Sequence, residues 1–202
     1  RKINSIQDEF EFHFKMKINS KIHYIDHHTA HISSSVFFSG MKNSNFLSVD
    51  GFGDFVSTVT GYYDGKKITK FNEVLFPHSL GLFYTAMTQY LGFMNYGDEY
   101  KIMGLAPYGE PKYIDNLKEI VKYDNKKLFK LNLKYFIHHT GNVEMTWLNG
   151  EPKIGRVFSS ELEKLLGPCR KKNDALLQFH KDIASSTQKF FEEILINIVN
   201  DL

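Results

Sequence analysis

An α/β fold, with a mixed sheet and helices packed on its faces, is what the amino-acid sequence predicts, and three stretches predict it. A short apolar run, Ile22 to Ile25, leads into Asp26 to Phe38, which reads as strand followed by helix. Asn45 to Phe71 then carries three strand-like segments in a row, and Leu80 to Leu91 follows with an apolar helical pattern. Strand, helix, three antiparallel strands and helix, in that order, point to a mixed sheet covered by helices.

The bulk properties set the frame for this fold. With 202 residues, 42% hydrophobic and 24% charged, the chain is an ordinary globular protein of one domain, able to bury roughly 70% of its unfolded surface. The net charge of +2 is small and the lysines are scattered, so nucleic acid is not favoured as a partner. Cys169 is the only cysteine, which excludes an intrachain disulfide and a thiolate metal cluster and fits a reducing, cytoplasmic setting. No apolar run approaches the length of a membrane span, so no membrane association is expected. The chain opens on Arg1 and Lys2 without an initiator Met and ends at Asp201 and Leu202 inside a helical pattern, so residues 1–202 are expected to be a fragment.

Taken in order, Ile3, Ile6, Phe10 and Phe14 have helical spacing, broken at Asn19 and Ser20. The histidine helix ends at Gly40. Asn45 to Asp50 and Ser57 to Tyr63 read as strands, and Asp64 with Gly65 signals a two-residue hairpin before Lys66 to Phe71. Ser79 caps the helix that ends by Gly92. Gly97 to Pro111 reads as a loop, Tyr113 to Val121 as a short helix, and Phe129, Leu131, Leu133 and Tyr135 alternate as an edge strand with Lys130 and Lys134 facing solvent. Ser160 precedes a helix over Glu161 to Leu166, and Asp174 opens a long helix running to Ile198.

Two stretches carry chemistry. His27 and His31 stand four apart, so on a helix both imidazoles face one point while His28 aims elsewhere. This is metal-ligand spacing, although packed or surface histidines at a helix start fit it too. Next, Asp50, Gly51, Phe52, Gly53 and Asp54 place two glycines and two carboxylates in one tight turn. Backbone amides there have room to approach a phosphate, with Asp50 or Asp54 orienting a cation or a water; an ordinary strand connection has the same pattern. Lys101, within the Gly97 to Pro111 loop, either meets an anion or points to water. His138 and His139 diverge on any regular element and read as surface or packing, Trp147 either lines a pocket or covers an edge, and His180 and Asp182 read as helix-surface residues.

Asp26 to His31, Val49 to Asp54, Pro77 to Gly81 and Glu99 to Gly109, four motifs in order, give the chain a specific likeness. It resembles the carbamoyltransferases of the nodulation and antibiotic-biosynthesis type, whose first domain is similar to the universal tRNA threonylcarbamoyl transferase. The stretch from His180 to Ser186 extends the likeness. The resemblance implies an incomplete lobe of the actin-like, ribonuclease-H-like (ASKHA) fold. It also implies a divalent metal, Fe or Zn, held by His27, His31 and a distant Asp beyond Leu202. Carbamoyladenylate, made from carbamoyl phosphate and ATP, would bind beside it, with Asp50, Gly51, Gly53, Asp54 and Lys101 on its phosphate side. The acceptor implied is a hydroxyl of a sugar or small metabolite, and no residue is identified as the general base. An opening segment before Arg1, and a second lobe and a carbamoyladenylate-forming domain after Leu202, are expected to complete the enzyme. A sugar kinase or ATPase on the same scaffold, and a non-enzymatic metal- or nucleotide-binding module, are the alternatives.

Overall fold

A computed structural model of the chain describes residues 5–141 and 143–202. Its centre is a three-stranded antiparallel meander, β1 (Ser44–Gly53), β2 (Val56–Tyr63) and β3 (Ile68–Leu75), in that spatial order. Strand alternation gives β1 two different faces. Phe46 packs with Ile32, Val36, Val56, Val59 and Tyr63 beneath helix α2 (His27–Val36). Leu47 and Val49 face the other way, into the larger core around helix α3 (Leu80–Tyr90). The meander therefore lies between two helices.

Helix α3 is the hub of that larger core, with nine of its eleven residues buried. Around it gather α4 (Glu99–Leu105), α5 (Ile114–Ile120), the hairpin β4 (Val121–Asp124) and β5 (Leu128–Leu131), α6 (Ser160–Leu166) and the long α7 (Gln178–Asn200). A second hairpin, β6 (Met145–Leu148) and β7 (Glu151–Ile154), carries Trp147 on an exposed strand. The first helix, α1 (Ile6–Phe14), has no buried residue.

The α/β class is as expected, but several elements differ from the sequence reading for physical reasons. Ile22 to Ile25 forms no strand: Tyr24 and Ile25 are exposed and pair with no strand among the described residues. With that strand gone, the sheets among the described residues are antiparallel rather than mixed. The expected two-residue hairpin at Asp64 and Gly65 is a four-residue loop, because the Asp64 carboxylate accepts from both Lys66 N and Lys67 N and holds the turn open to Ile68. Most of the predicted loop from Gly97 to Pro111 is helical: α4 is followed by a 3₁₀ turn at Ala106–Tyr108. Of its three glycines only Gly104 lies within α4, whose inner residue, Ile102, is fully buried. The predicted long edge strand stops at Leu131, and Leu133–Tyr135 turns as 3₁₀.

The remaining shifts are at helix starts. Ser159, not Ser160, caps α6. Helix α7 begins at Gln178, because the Asp174 side chain closes a turn onto Lys171 N instead of opening the helix. His180 and Asp182 are buried rather than on the helix surface. Asp182 accepts from Glu110 N at 2.9 Å and from the Gln178 amide at 2.8 Å, and so ties α7 to the segment after the 3₁₀ turn. No helix among the described residues is long and apolar enough to cross a membrane.

Candidate metal centre

The site is built where the start of α2 meets the end of β1. Asp26 caps the helix, accepting from Thr29 N at 2.8 Å and Thr29 Oγ1 at 2.6 Å, which satisfies donors that the first turn leaves open. From that start, the four-residue spacing stacks His27 and His31 on one face, their ring centroids 4.6 Å apart. His28 points inward and is fully buried. Its Nε2 lies 3.0 Å from the Val56 carbonyl, which can only accept, and its Nδ1 lies 2.8 Å from Ser48 Oγ. His28 is thus a strut between helix and sheet.

Strand alternation sends Phe46, Ser48 and Asp50 toward α2, and Asp50 meets the two outer histidines there. His27 Nε2 lies 2.7 Å from Asp50 Oδ2, His31 Nε2 lies 3.4 Å from the same oxygen, and the two Nε2 atoms are 3.0 Å apart. All three ligand atoms fall within 4.8 Å of one another. Partial burial pushes the Asp50 carboxyl up, but hydrogen bonds from His27 and the Gly51 amide, with the nearby imidazoles, outweigh it and hold it below the usual carboxylate range. Two imidazole nitrogens and one carboxylate oxygen, on half-exposed side chains with open positions beyond them, form a donor set that fits a transition metal such as Fe(II) or Zn.

The supposed glycine turn is largely strand. Pairing continues to Gly53 opposite Val56, with a bulge between Val49 and Gly53, and the turn itself is Asp54 and Phe55, at φ 51° and 65°. Gly53 serves His27: a Cβ there would sit 1.9 Å from the imidazole Cδ2. Gly51 is different, because nothing lies within 4 Å of the corresponding position. The start of α3 closes in beside it, with Ser79 Oγ donating to the Gly51 carbonyl at 2.7 Å. Asp54 accepts from His27 N at 2.9 Å. Lys101 sits on α4, paired with Asp98 at 2.7 Å.

The structure therefore brings together His27, His31, Asp50, Gly53 and Asp54, sets Gly51 beside α3, and commits Lys101 to a partner of its own. Sequence reasoning missed Asp50 as a companion of the histidines, and missed Lys70, which reaches Asp26 from β3 at 2.8 Å. No periodicity links Asp50 or Lys70 to the histidines; only strand register does.

The chain is thus an α/β protein with a His27, His31 and Asp50 cluster that could hold a metal ion, set at a helix start and a strand end. Comparison with known proteins places it more closely. The family model described as Carbamoyltransferase N-terminus matches residues 2–202, and the chain belongs to that family. An uncharacterized protein from Synechocystis sp. is 37% identical over 176 residues, covering 87% of this chain and 27% of the relative. Nodulation protein NolO of Bradyrhizobium diazoefficiens is 30% identical over 176 residues, 86% of this chain and 27% of its own length. Nodulation protein NolNO of Sinorhizobium fredii is 29% identical over 181 residues, 89% and 23% respectively. The chain thus spans about a quarter of the length of these curated relatives.

Proposed function

We propose that the chain is part of an O-carbamoyltransferase that moves a carbamoyl group from carbamoyladenylate to a hydroxyl of a sugar or small metabolite. The convergence of His27, His31 and Asp50 within a chain of the carbamoyltransferase family is the observation that carries this reading. The acceptor oxygen attacks the carbamoyl carbon, the bond from that carbon to the phosphate oxygen breaks, AMP leaves with the electron pair, and the acceptor proton passes to a base. His27, His31 and Asp50 would hold the divalent metal, with a further carboxylate from outside residues 1–202. When bound, the metal supplies positive charge opposite the mixed-anhydride phosphate.

This chain's own contribution is preorganisation. The open face at Gly51 leaves room for an anionic group, and the start of α3 beside it adds the positive end of a helix dipole. Phosphate placement therefore centres on Asp50 and Gly51. Gly53 and Asp54 support it by seating His27, and Lys101 would join only by leaving Asp98. In this reading β1 to β3, with helices on both faces, form part of an actin-like lobe.

The test is an assay of the intact protein with carbamoyl phosphate, ATP and a panel of hydroxyl acceptors. AMP together with a carbamoylated acceptor is the expected product pair. ADP with a phosphorylated acceptor would mark a kinase on the same scaffold, and no nucleotide turnover at all would favour a binding module.

A further inference from the structure

We infer that Asp54 and Lys70 are positioning residues for the His27, His31 and Asp50 donor set, fastening the first turn of α2 to the strands that face it. The inference rests on the reading that this set holds a metal ion. Two of the ligand atoms come from a helix and the third from a strand, so their mutual distances survive only if the helix start cannot slide along β1. Burial and the hydrogen bonds of His28 to Ser48 and Val56 hold the inner line of the helix, and leave its outer face to be fixed by other contacts. The buried residues of α2 are His28, Ile32 and Val36, spaced along one line of the helix, while His27 and His31 stand outside that line and are partly exposed.

Two polar ties supply the missing constraint. Asp54 Oδ2 accepts from the backbone N of His27 at 2.9 Å, and Asp54 stands four residues after Asp50. One hydrogen bond thus links the residue that offers an imidazole to the strand end that offers the carboxylate. Asp54 and Phe55 are the two-residue turn between β1 and β2, both in the left-handed region at φ 51° and 65°, as such a hairpin turn requires. The second tie comes from β3. Lys70 Nζ reaches Asp26 Oδ1 at 2.8 Å, the same oxygen that caps Thr29, and is itself steadied by Glu73 at 3.2 Å. The cap is therefore anchored to a strand as well as to its own helix. Neither Asp54 nor Lys70 belongs to the donor set.

The test uses the intact protein, stripped of metal and titrated with Co2+ against a competing chelator. Asp54→Ala and Lys70→Met are expected to weaken Co2+ binding by about tenfold or more, the usual scale for outer partners of metal ligands, and to shift the Co2+ absorption bands. Asp54→Asn should restore binding, because its amide oxygen still accepts from His27 N. Asp64→Ala removes a carboxylate that holds two backbone amides in the β2–β3 loop, and should leave both readouts at the parent's values. Asp54→Ala or Lys70→Met binding within about twofold of the parent, on a scale where outer partners matter tenfold, would overturn the inference, as would an Asp54→Asn no better than Asp54→Ala. His31→Ala separates the two levels. If it loses Co2+ while Asp54→Ala and Lys70→Met do not, only this inference fails; if it binds Co2+ like the parent, the metal reading fails and takes the inference with it.

Discussion

Helices α2 and α3 flank the same sheet and are nearly equal in length, ten residues against eleven, yet they are held in opposite ways. Helix α3 buries nine residues and is fixed by packing. Helix α2 buries three and is fixed at its start by the polar contacts of Asp26, His28, Asp54 and Lys70. The contrast separates two kinds of side chain: those whose loss unfolds the molecule, and those whose loss leaves a folded molecule with a displaced donor set. The face of α2 that carries His27 and His31 is partly exposed and so adds little burial to the helix.

The largest expected effect lies in α3. Phe83 is fully buried and packs edge-on against Phe190 of α7, with ring centroids 6.1 Å apart. Phe83→Ala should cost about 3–5 kcal/mol of stability, measured by urea unfolding of the intact protein. A loss comparable to that of an exposed site would break the view of α3 as the hub. His28 sharpens the comparison from the other side, since it is the one imidazole of α2 that belongs to the interior. His28→Ala should cost roughly 2–4 kcal/mol, because it opens a cavity and strands both Ser48 Oγ and the Val56 carbonyl. It is therefore a poor neutral control for metal binding, contrary to what its place in the motif implies.

Next in size is a pH effect away from α2. Burial pushes the imidazoles of His78 and His138 below the ordinary histidine value; the nearby Lys130 adds to this at His78, whereas a hydrogen bond to the Pro77 carbonyl opposes it at His138. The unfolded chain then binds more protons than the folded one between the lowered values and the ordinary value near 6.5. Stability is accordingly full above that window and falls as pH drops through it. Urea midpoints should decline from neutral to mildly acidic pH, and the double variant His78→Gln, His138→Gln should flatten that decline. The smallest effect is expected at His31, which is half-exposed and makes no core contact. In metal-free protein, His31→Ala should lie within about 0.5 kcal/mol of the parent.

What the sequence revealed divides along the same line. Helix α3 was legible with its cap at Ser79 and its end before Gly92, because apolar spacing reports burial and capping chemistry is local. The pair His27 and His31 was legible because helical periodicity is local as well. Asp50 was noticed but assigned to a turn, since its place beside the histidines depends on β1 alternation, a bulge and the docking of α2 across residues far apart in sequence. Lys70 stayed hidden for that reason, and Asp54, assigned with Asp50 to the phosphate turn, was not linked to the start of α2. Ile22 to Ile25 misled in the opposite sense: its residues have strand character, but it pairs with no strand among the described residues.

The central claim is that His27, His31 and Asp50 together hold a metal ion that the carbamoyl-transfer reaction uses. Metal content of the intact protein as purified, measured by elemental analysis beside His31→Ala and Asp50→Asn, tests it most directly. The prediction is a bound transition metal in the parent and its loss in both variants, with the fold of each variant retained by circular dichroism. A parent without metal, or variants that keep the parent's full content, would contradict it.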